Sequence, residues 1–454
     1  MNQTHTWKQK VKMMFHILLP IFITQVAMQF MVFFDTVMSG NFNKENLAGV
    51  AIGASLWTPI YTGVSGIFLG VTPIVAQALG ARKKERIASS VIQAAYLAIV
   101  FGLVLIVVGG FAIEPILHAM SLEAEVAKVA ANYLHFLGIG VIPVLIYTVM
   151  RASIDGLGQT RVTMFITLLS FPINVLLNYV FIFGKFGFPS LGGAGSGLAT
   201  SITYIIIMSV AIWFMKRNDG MKELRMLSAW EKISFKKWKE VLKIGTPIGL
   251  SIFFEVSIFA MVTLLMSNYD TVTIASHQAA MNFASLLYML PLSVAMSLTI
   301  LIGFEVGAKR YKDARQYARL GIGFAIGMSS LCAILLFFLS SDVAALYNPE
   351  PSVRELTQSF LFYAIFFQLS DAIAAPIQGT LRGYKDVNIV FIIAFLSYWV
   401  IGLPSGYALA AFTSLDAYGY WIGLIVGLAI GAVGLFSRLA VIERRAKRGI
   451  LADK

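Results

Sequence analysis

The chain has 454 residues, 58% of them hydrophobic and 13% charged, with a net charge of +12 and a mean hydropathy of +0.78. Soluble domains run at roughly 45–50% apolar and about 25% charged, so a water-exposed globule is excluded and lipid must solvate much of the surface. The single cysteine, Cys332, excludes an intrachain disulfide and a cysteine-rich zinc site.

The basic segment 1–12 leads into an apolar stretch at 13–40. That stretch is too long for a signal-peptide core and has no small-residue cleavage site, so it reads as a retained first helix. A hydrocarbon core of about 30 Å needs about 20 apolar residues in helix. Stretches of that kind follow at 47–79, 88–112, 126–150, 161–184, 193–215, 240–268, 274–306, 317–340, 355–380, 387–411 and 418–441. The expected fold is an all-α integral membrane protein with twelve transmembrane helices.

With the N-terminus inside, the connections assigned to the cytoplasm hold 31 of the 35 lysines and arginines. Only Lys44, Lys128, Lys185 and Arg354 fall outside. A miscounted helix would reverse every later loop, so this separation supports the count and the orientation together. It also accounts for the basic charge without a nucleic-acid partner.

The chain repeats itself. At an offset of 227 residues Pro20 falls on Pro247, Ala48 on Ala275 and Gly80 on Gly307, with basic tails Arg82-Lys83 and Lys309-Arg310. Further along the offset reads as 225, with Gly158 of GQTRV against Gly383 of GYKDV. Six helices per half make the halves parallel repeats, two six-helix lobes related by a pseudo-two-fold axis along the membrane normal. The lobes are expected at 1–215 and 240–454, with a cytoplasmic linker at 216–239. The polar stretch from Lys216 to Lys243 carries Trp230 and Trp238 as interface anchors and is expected to form, in part, an amphipathic surface helix.

Small-residue pairs at Gly66/Gly70, Gly245/Gly249, Gly323/Gly327 and Gly402/Gly406, and the triplet Gly423/Gly427/Gly431, predict close helix approach. The glycine-rich run at 192–197 lacks a phosphate-binding spacing and reads as a flexible outer turn.

No nucleotide loop, zinc motif or nucleophile elbow is present, and no enzymatic activity is expected. The chemistry lies in carboxylates placed within apolar helices: Asp35 in the first, Glu255 in the seventh and Asp371 in the tenth. A charge at mid-bilayer costs at least ~2.5–3.5 kcal/mol. Any one of these groups alone also fits a satisfied structural role, but three together point to a polar cavity that exchanges protons or cations.

Thr24, Met28, Met31 and Asp35 share one helix face, as do Gln368, Asp371, Ala375 and Gln378, Ser251 with Glu255, and Gln278 with Asn282. Such polar groups beside Met and Phe suit lipophilic cations. Gln25, Met28, Met31, Gln278, Asn282 and Gln368 are therefore the candidate lining of a substrate cavity. Asn174 and Asn178, one turn apart after Pro172, could serve as helix glue or face an acidic residue. Glu305 is expected to pair with Lys309, and Arg151 and Asp155 lie at an inner helix end.

On these residues the chain resembles the multidrug and toxin extrusion (MATE) family, most closely its NorM-type bacterial branch. The resemblance spans the whole chain and includes DTVMSG at 35–40, VAQALGAR at 75–82 and QGTLRGYKD at 378–386. It implies a cation-coupled antiporter that exchanges Na+ or H+ for organic cations and drugs by alternating access, with no other cofactor. It also implies a monomer in the bacterial cytoplasmic membrane, with both termini inside. By resemblance Asp35, Asn174, Asn178 and Thr200 form an N-lobe cation-coupling site, and Glu255 and Asp371 a C-lobe one, with Na+ at either. Two departures stand out: some relatives carry Asp where Asn178 stands, and the branch pattern has Tyr where this chain has Phe367. A flippase of a lipid-linked precursor shares the superfamily architecture, but would call for buried Arg or Lys to hold an anionic headgroup.

Overall fold

The computed structural model of the protein describes residues 1, 3–224 and 231–448, and among them there is no β-strand. The first half comprises α1 (Trp7–Gly40), α2 (Lys44–Leu69), α3 (Val71–Gly80), α4 (Lys84–Ala119), α5 (Ala124–Gly138), α6 (Val141–Gly156), α7 (Thr160–Phe183) and α8 (Ala194–Arg217), then a single turn, α9 (Asp219–Lys222). The second half comprises α10 (Phe235–Met266), α11 (Thr271–Gly307), α12 (Tyr311–Tyr347), α13 (Pro351–Gly383), α14 (Val387–Phe395), a π-helical segment at Leu396–Gly402, α15 (Leu403–Phe412) and α16 (Ala417–Lys447).

Taken as continuous spans, eleven of these stretches are long and apolar enough to cross a membrane; α5 and α6, bent by 52° at their junction, make the twelfth. The bend has a local cause. A Cβ at Gly140 would come within 2.8 Å of Ser201 Cα, so only glycine admits α8 here. The Ser201 hydroxyl in turn donates to the carbonyls of Phe136 and Leu137 at 2.7 and 3.2 Å, satisfying acceptors that the break exposes. The π-helical segment also has a local cause: Pro404 lacks the N–H that would close the preceding turn, and its ring crowds the carbonyl at Val400.

Four helix ends share one device. α3, α6, α11 and α13 end at Gly80, Gly156, Gly307 and Gly383. Two residues later Arg82, Gly158, Lys309 and Lys385 have φ of 58°, 76°, 59° and 59°. The next N–H closes back five residues, from Lys83 to Ala78, Gln159 to Ile154, Arg310 to Glu305 and Asp386 to Leu381, the Schellman pattern. The spacing of these ends corrects the sequence reading: the offset stays at 227 across both pairs, and Gly158 matches Lys385, not Gly383. Matching glycine to glycine slipped the second landmark by two residues, because the left-handed position is filled by Gly in one half and by Lys in the other.

The chain divides into two compact units, Ile23–Gly249 and Met1–Phe22 with Leu250–Lys454. The sequence boundaries at 215 and 240 are therefore not the unit boundaries: the first part of α1 belongs with the second half, and the first part of α10 with the first. Side chains explain both assignments. Met14, Ile17, Leu18 and Ile21 join a core with Leu298, Ile302, Ile377 and Leu435. Lys10, 1% exposed, meets Asp313 at 2.7 Å, and Arg310 donates to the Thr4 carbonyl at 2.5 Å. In the other unit Arg86 meets Glu240 at 2.5 Å, Gln93 donates to the Lys232 carbonyl at 2.8 Å, and the Ser89 hydroxyl is hydrogen-bonded to Glu231.

The described part of the linker holds the end of α8, the turn α9, coil at 231–234 and the first residues of α10 from Phe235, so among the described residues its charged helical part is the start of a span and no separate surface helix stands there. Trp230 lies outside them, and Trp238 packs edge-on against Phe235 at 5.5 Å.

The glycine pairs fall into two groups. A Cβ at Gly245 would lie 2.0 Å from the Ile67 carbonyl oxygen, and one at Gly423 would lie 2.3 Å from Gly406 Cα, so these are close helix contacts as expected. At Gly323 and Gly327, by contrast, an added Cβ would have nothing within 4 Å among the described residues; these two do not pack against a helix. The run at 192–197 is also not a loose turn. Helix α8 starts at Ala194, and a Cβ at Gly195 or Gly197 would meet the Phe181 or Tyr133 carbonyl oxygen at 2.6 or 2.5 Å.

Candidate functional site

In the unit Ile23–Gly249, α1 carries Asp35 and α7 carries Asn174 and Asn178, both buried. The Asn178 amide donates to the Asp35 carboxylate and to the Asn174 carbonyl oxygen at 3.1 Å. Its own carbonyl oxygen is buried and has no hydrogen-bond partner among the described residues. Tyr133 and Tyr204 lie close enough to sense the Asp35 charge, while no basic side chain among the described residues acts on it. One carboxylate thus stands beside an unpartnered oxygen acceptor, a hard-oxygen set suited to a proton or a small monovalent cation. Thr200, half-buried on α8, forms no hydrogen bond with this group among the described residues.

In the other unit, α10 carries Glu255, which accepts from the Tyr288 hydroxyl of α11 at 3.1 Å. Asp371 on α13 is 5% exposed and close enough to Glu255 for direct repulsion. Arg382, three turns further along α13, attracts Glu255 and donates to the Gln378 side chain at 3.4 Å. Trp399, in the π-helical segment, donates to the Phe254 carbonyl at 3.1 Å. That bond ties the segment to α10 beside Glu255, and Tyr398 next to it senses both carboxylates. The Gln368 side-chain oxygen, one turn before Asp371, is buried without a hydrogen-bond partner among the described residues.

The remaining lining residues are placed differently. Gln25 and Met31 are half-buried. The Met28 sulfur accepts from Arg151 at 3.3 Å, so it already has an occupant. Gln278 and Asn282 stay on an exposed face of α11, where Asn282 accepts from the Tyr347 hydroxyl at 2.8 Å; neither is hydrogen-bonded to Glu255 or Asp371 among the described residues. Arg151 and Asp155 lie 3.7 Å apart, and the Thr163 hydroxyl donates to Asp155 at 2.6 Å. Glu305 pairs with Arg310 at 3.5 Å and not with Lys309, because the left-handed turn at Lys309 reverses the chain and brings Arg310 back.

Sequence reasoning missed Tyr288, Arg382 and Tyr398. Arg382 sits just before a basic turn and was grouped with loop charges. The constant offset of 227 is the signal that finds it: Tyr61 falls on Tyr288, Met28 on Glu255, Arg151 on Gln378 and Asp155 on Arg382. Each unit therefore aims one guanidinium from the same helix at the same place, from positions one turn apart.

Ionisable side chains buried within a bundle of spans are expensive in a bilayer and mark ion or substrate pathways, which places the protein among polytopic membrane transporters. The MatE family model matches residues 20–180 and 247–408, two segments whose starts are also 227 apart. The chain belongs to the MATE family. It is 56% identical over 98% of both chains to the Bacillus subtilis (strain 168) protein named "Probable multidrug resistance protein NorM". A protein of the same name from Oceanobacillus iheyensis is 54% identical, over 98% of this chain and 100% of its own. In fold, the chain is similar to the crystal structure of the eukaryotic MATE transporter AtDTX14, at a TM-score of 0.87 and 20% identity over 97% of this chain and 98% of that one. It is similar also to a MOP superfamily transporter from Pyrococcus furiosus, at a TM-score of 0.84 and 18% identity over 98% and 100%.

Proposed function

We propose that the protein is a cation-coupled antiporter that exports lipophilic, cationic drugs across the bacterial cytoplasmic membrane by alternating access, with both termini in the cytoplasm. The observation that carries this reading is that each unit holds an acidic group within a span whose charge is not balanced. Among the described residues Asp35 has no cation, Arg382 attracts Glu255, and Asp371 faces only the like charge of Glu255. A deep carboxylate is neutralised by Na+, by H+ or by a drug cation, but not by all at once, so binding of one releases another. Differential affinity of these ligands for two conformations then drives the cycle. Names given to relatives at more than half identity support drugs as the cargo.

A flippase gains no support. The two half-buried arginines near these sites, Arg151 and Arg382, each have their charge offset by a carboxylate, Asp155 and Glu255, which leaves no excess positive charge for an anionic headgroup. Na+ and H+ both fit the oxygen-rich sites.

The test is efflux of a fluorescent organic cation from proteoliposomes, driven by a Na+ gradient or a pH gradient in separate arms. One of the two gradients should drive efflux of the dye against its own gradient in the wild type, and neither should in Asp371→Asn. Transport retained by the variant would remove Asp371 from the mechanism, and transport in the wild type with no gradient would remove coupling altogether.

A further inference from the structure

Away from the acidic sites, α12 and α16 enclose a cavity of about 510 Å³. Its two ends differ. At one end stand Arg315, Arg319, Arg444 and Lys447, against a single carboxylate, Glu443. Arg315 already holds Glu443 at 2.7 Å, and Arg319, Arg444 and Lys447 are exposed. Further along, the wall is apolar, formed by Ile322, Ile326, Phe436 and Leu439. The floor of that part is Gly323, whose missing side chain would meet nothing within 4 Å. A side chain here would project into the open space of the groove and take room from an occupant.

We propose that this cavity is a binding site for an anionic phospholipid, with the headgroup phosphate on the cationic end and an acyl chain lying over Gly323. Three arguments favour a lipid over another ligand. From Arg315 to Ile326 the helix rises ~16 Å at 1.5 Å per residue, about half the ~30 Å hydrocarbon thickness and so the reach of one leaflet. The cavity opens between two spans, so its apolar half is in contact with lipid. The charged end lies beside the loops that the orientation proposed above puts in the cytoplasm, where anionic lipids attract basic clusters and pockets between helices bind their headgroups. The inference rests on that orientation, but on no part of the transport reading.

The experiment is binding of dioleoyl-phosphatidylglycerol, dioleoyl-phosphatidylcholine and inorganic phosphate to the full chain in detergent, read by thermal shift and by native mass spectrometry. Phosphatidylglycerol should raise the melting temperature and be retained as a discrete adduct; phosphatidylcholine and phosphate should do neither. Arg319→Gln with Arg444→Gln should weaken phosphatidylglycerol binding roughly 25-fold, about fivefold for each cation removed. Gly323→Leu keeps every charge but projects into the groove, and should lose the adduct as well. Equal binding of phosphatidylcholine, displacement of phosphatidylglycerol by phosphate, or undiminished binding by Gly323→Leu would each overturn the proposal. Because transport is not the readout, failure here leaves the antiport reading standing.

Discussion

The acidic groups of the two units use one scaffold in two ways. In the first unit the guanidinium at this place is Arg151; it takes its carboxylate from its own helix, Asp155, and touches the Met28 sulfur across the gap. In the second unit the guanidinium is Arg382, one turn later, and across the gap stands Glu255 in place of methionine. The Arg151–Asp155 pair is closed, so Asp35 elsewhere in that unit is left without a cation partner, and the Asn178 amide is its one hydrogen-bond donor among the described residues. In the second unit Arg382 acts on Glu255, and Asp371 beside it has no cation of its own among the described residues. Each unit is left with one carboxylate that has no cation partner among the described residues, Asp35 in the first and Asp371 in the second. A repeated scaffold thus conserves the electrostatic demand on a ligand while changing every group that makes it.

That comparison is most directly broken at the carboxylates. Asp35→Asn and Asp371→Asn should each reduce gradient-driven efflux to background, with normal membrane insertion, and the double variant should be no worse than either. Efflux that falls only part-way in each, and further in the double, would mean that the units act independently.

Arg382→Gln should have the next largest effect, on stability. Removing one partner of a buried charge cluster costs roughly 3–5 kcal/mol, measured as a lower melting temperature in detergent. Glu255→Gln added to it should restore most of the loss, because the neutral pair no longer leaves two carboxylates facing each other. A double variant as unstable as Arg382→Gln would show that the arginine supports something other than Glu255. The matching change Arg151→Gln should be rescued by Asp155→Asn, not by a change at Met28.

Asn178→Ala removes the unpartnered side-chain oxygen beside Asp35 and should weaken Na+ binding at that site by about ten- to a hundredfold. Asn178→Asp should bind cations more tightly than the wild type. Isothermal titration with Na+ at a fixed pH reads both, and neither change should alter the site in the other unit.

The smallest effect belongs to the linker. Burial tends to raise Glu231, but hydrogen bonds from Ser89 and attraction to Lys237 outweigh it and hold the carboxyl below its ordinary range. A lowered folded-state value means that the ionised group favours the folded state above about pH 4.5, and that the contribution is lost as pH falls through the depressed value. Solvent screening limits it to a few tenths of a kcal/mol. The melting temperatures of wild type and Glu231→Gln should therefore differ slightly at pH 7 and converge in acid; a gap that widens in acid would reverse the sign.

Hydropathy, charge placement and repetition were enough to settle the class of fold, because a span must be about 20 apolar residues whatever it packs against and a repeat is visible in any residue that both halves keep. The same reasoning located Asp35, Glu255 and Asp371, since an ionisable group in an apolar helix stands out alone. Three things were decided only in three dimensions. The offset of 227 became constant once the left-handed turns could be matched by φ, a property that Gly158 and Lys385 share and their side chains do not. Arg382 was indistinguishable from a loop charge until the end of α13 was seen to aim it at Glu255. Gly323 looked like a packing glycine, as Gly423 does, and only the open space beside it separates the two. In each case the deciding quantity is a backbone direction or a distance in space, and a linear pattern carries neither.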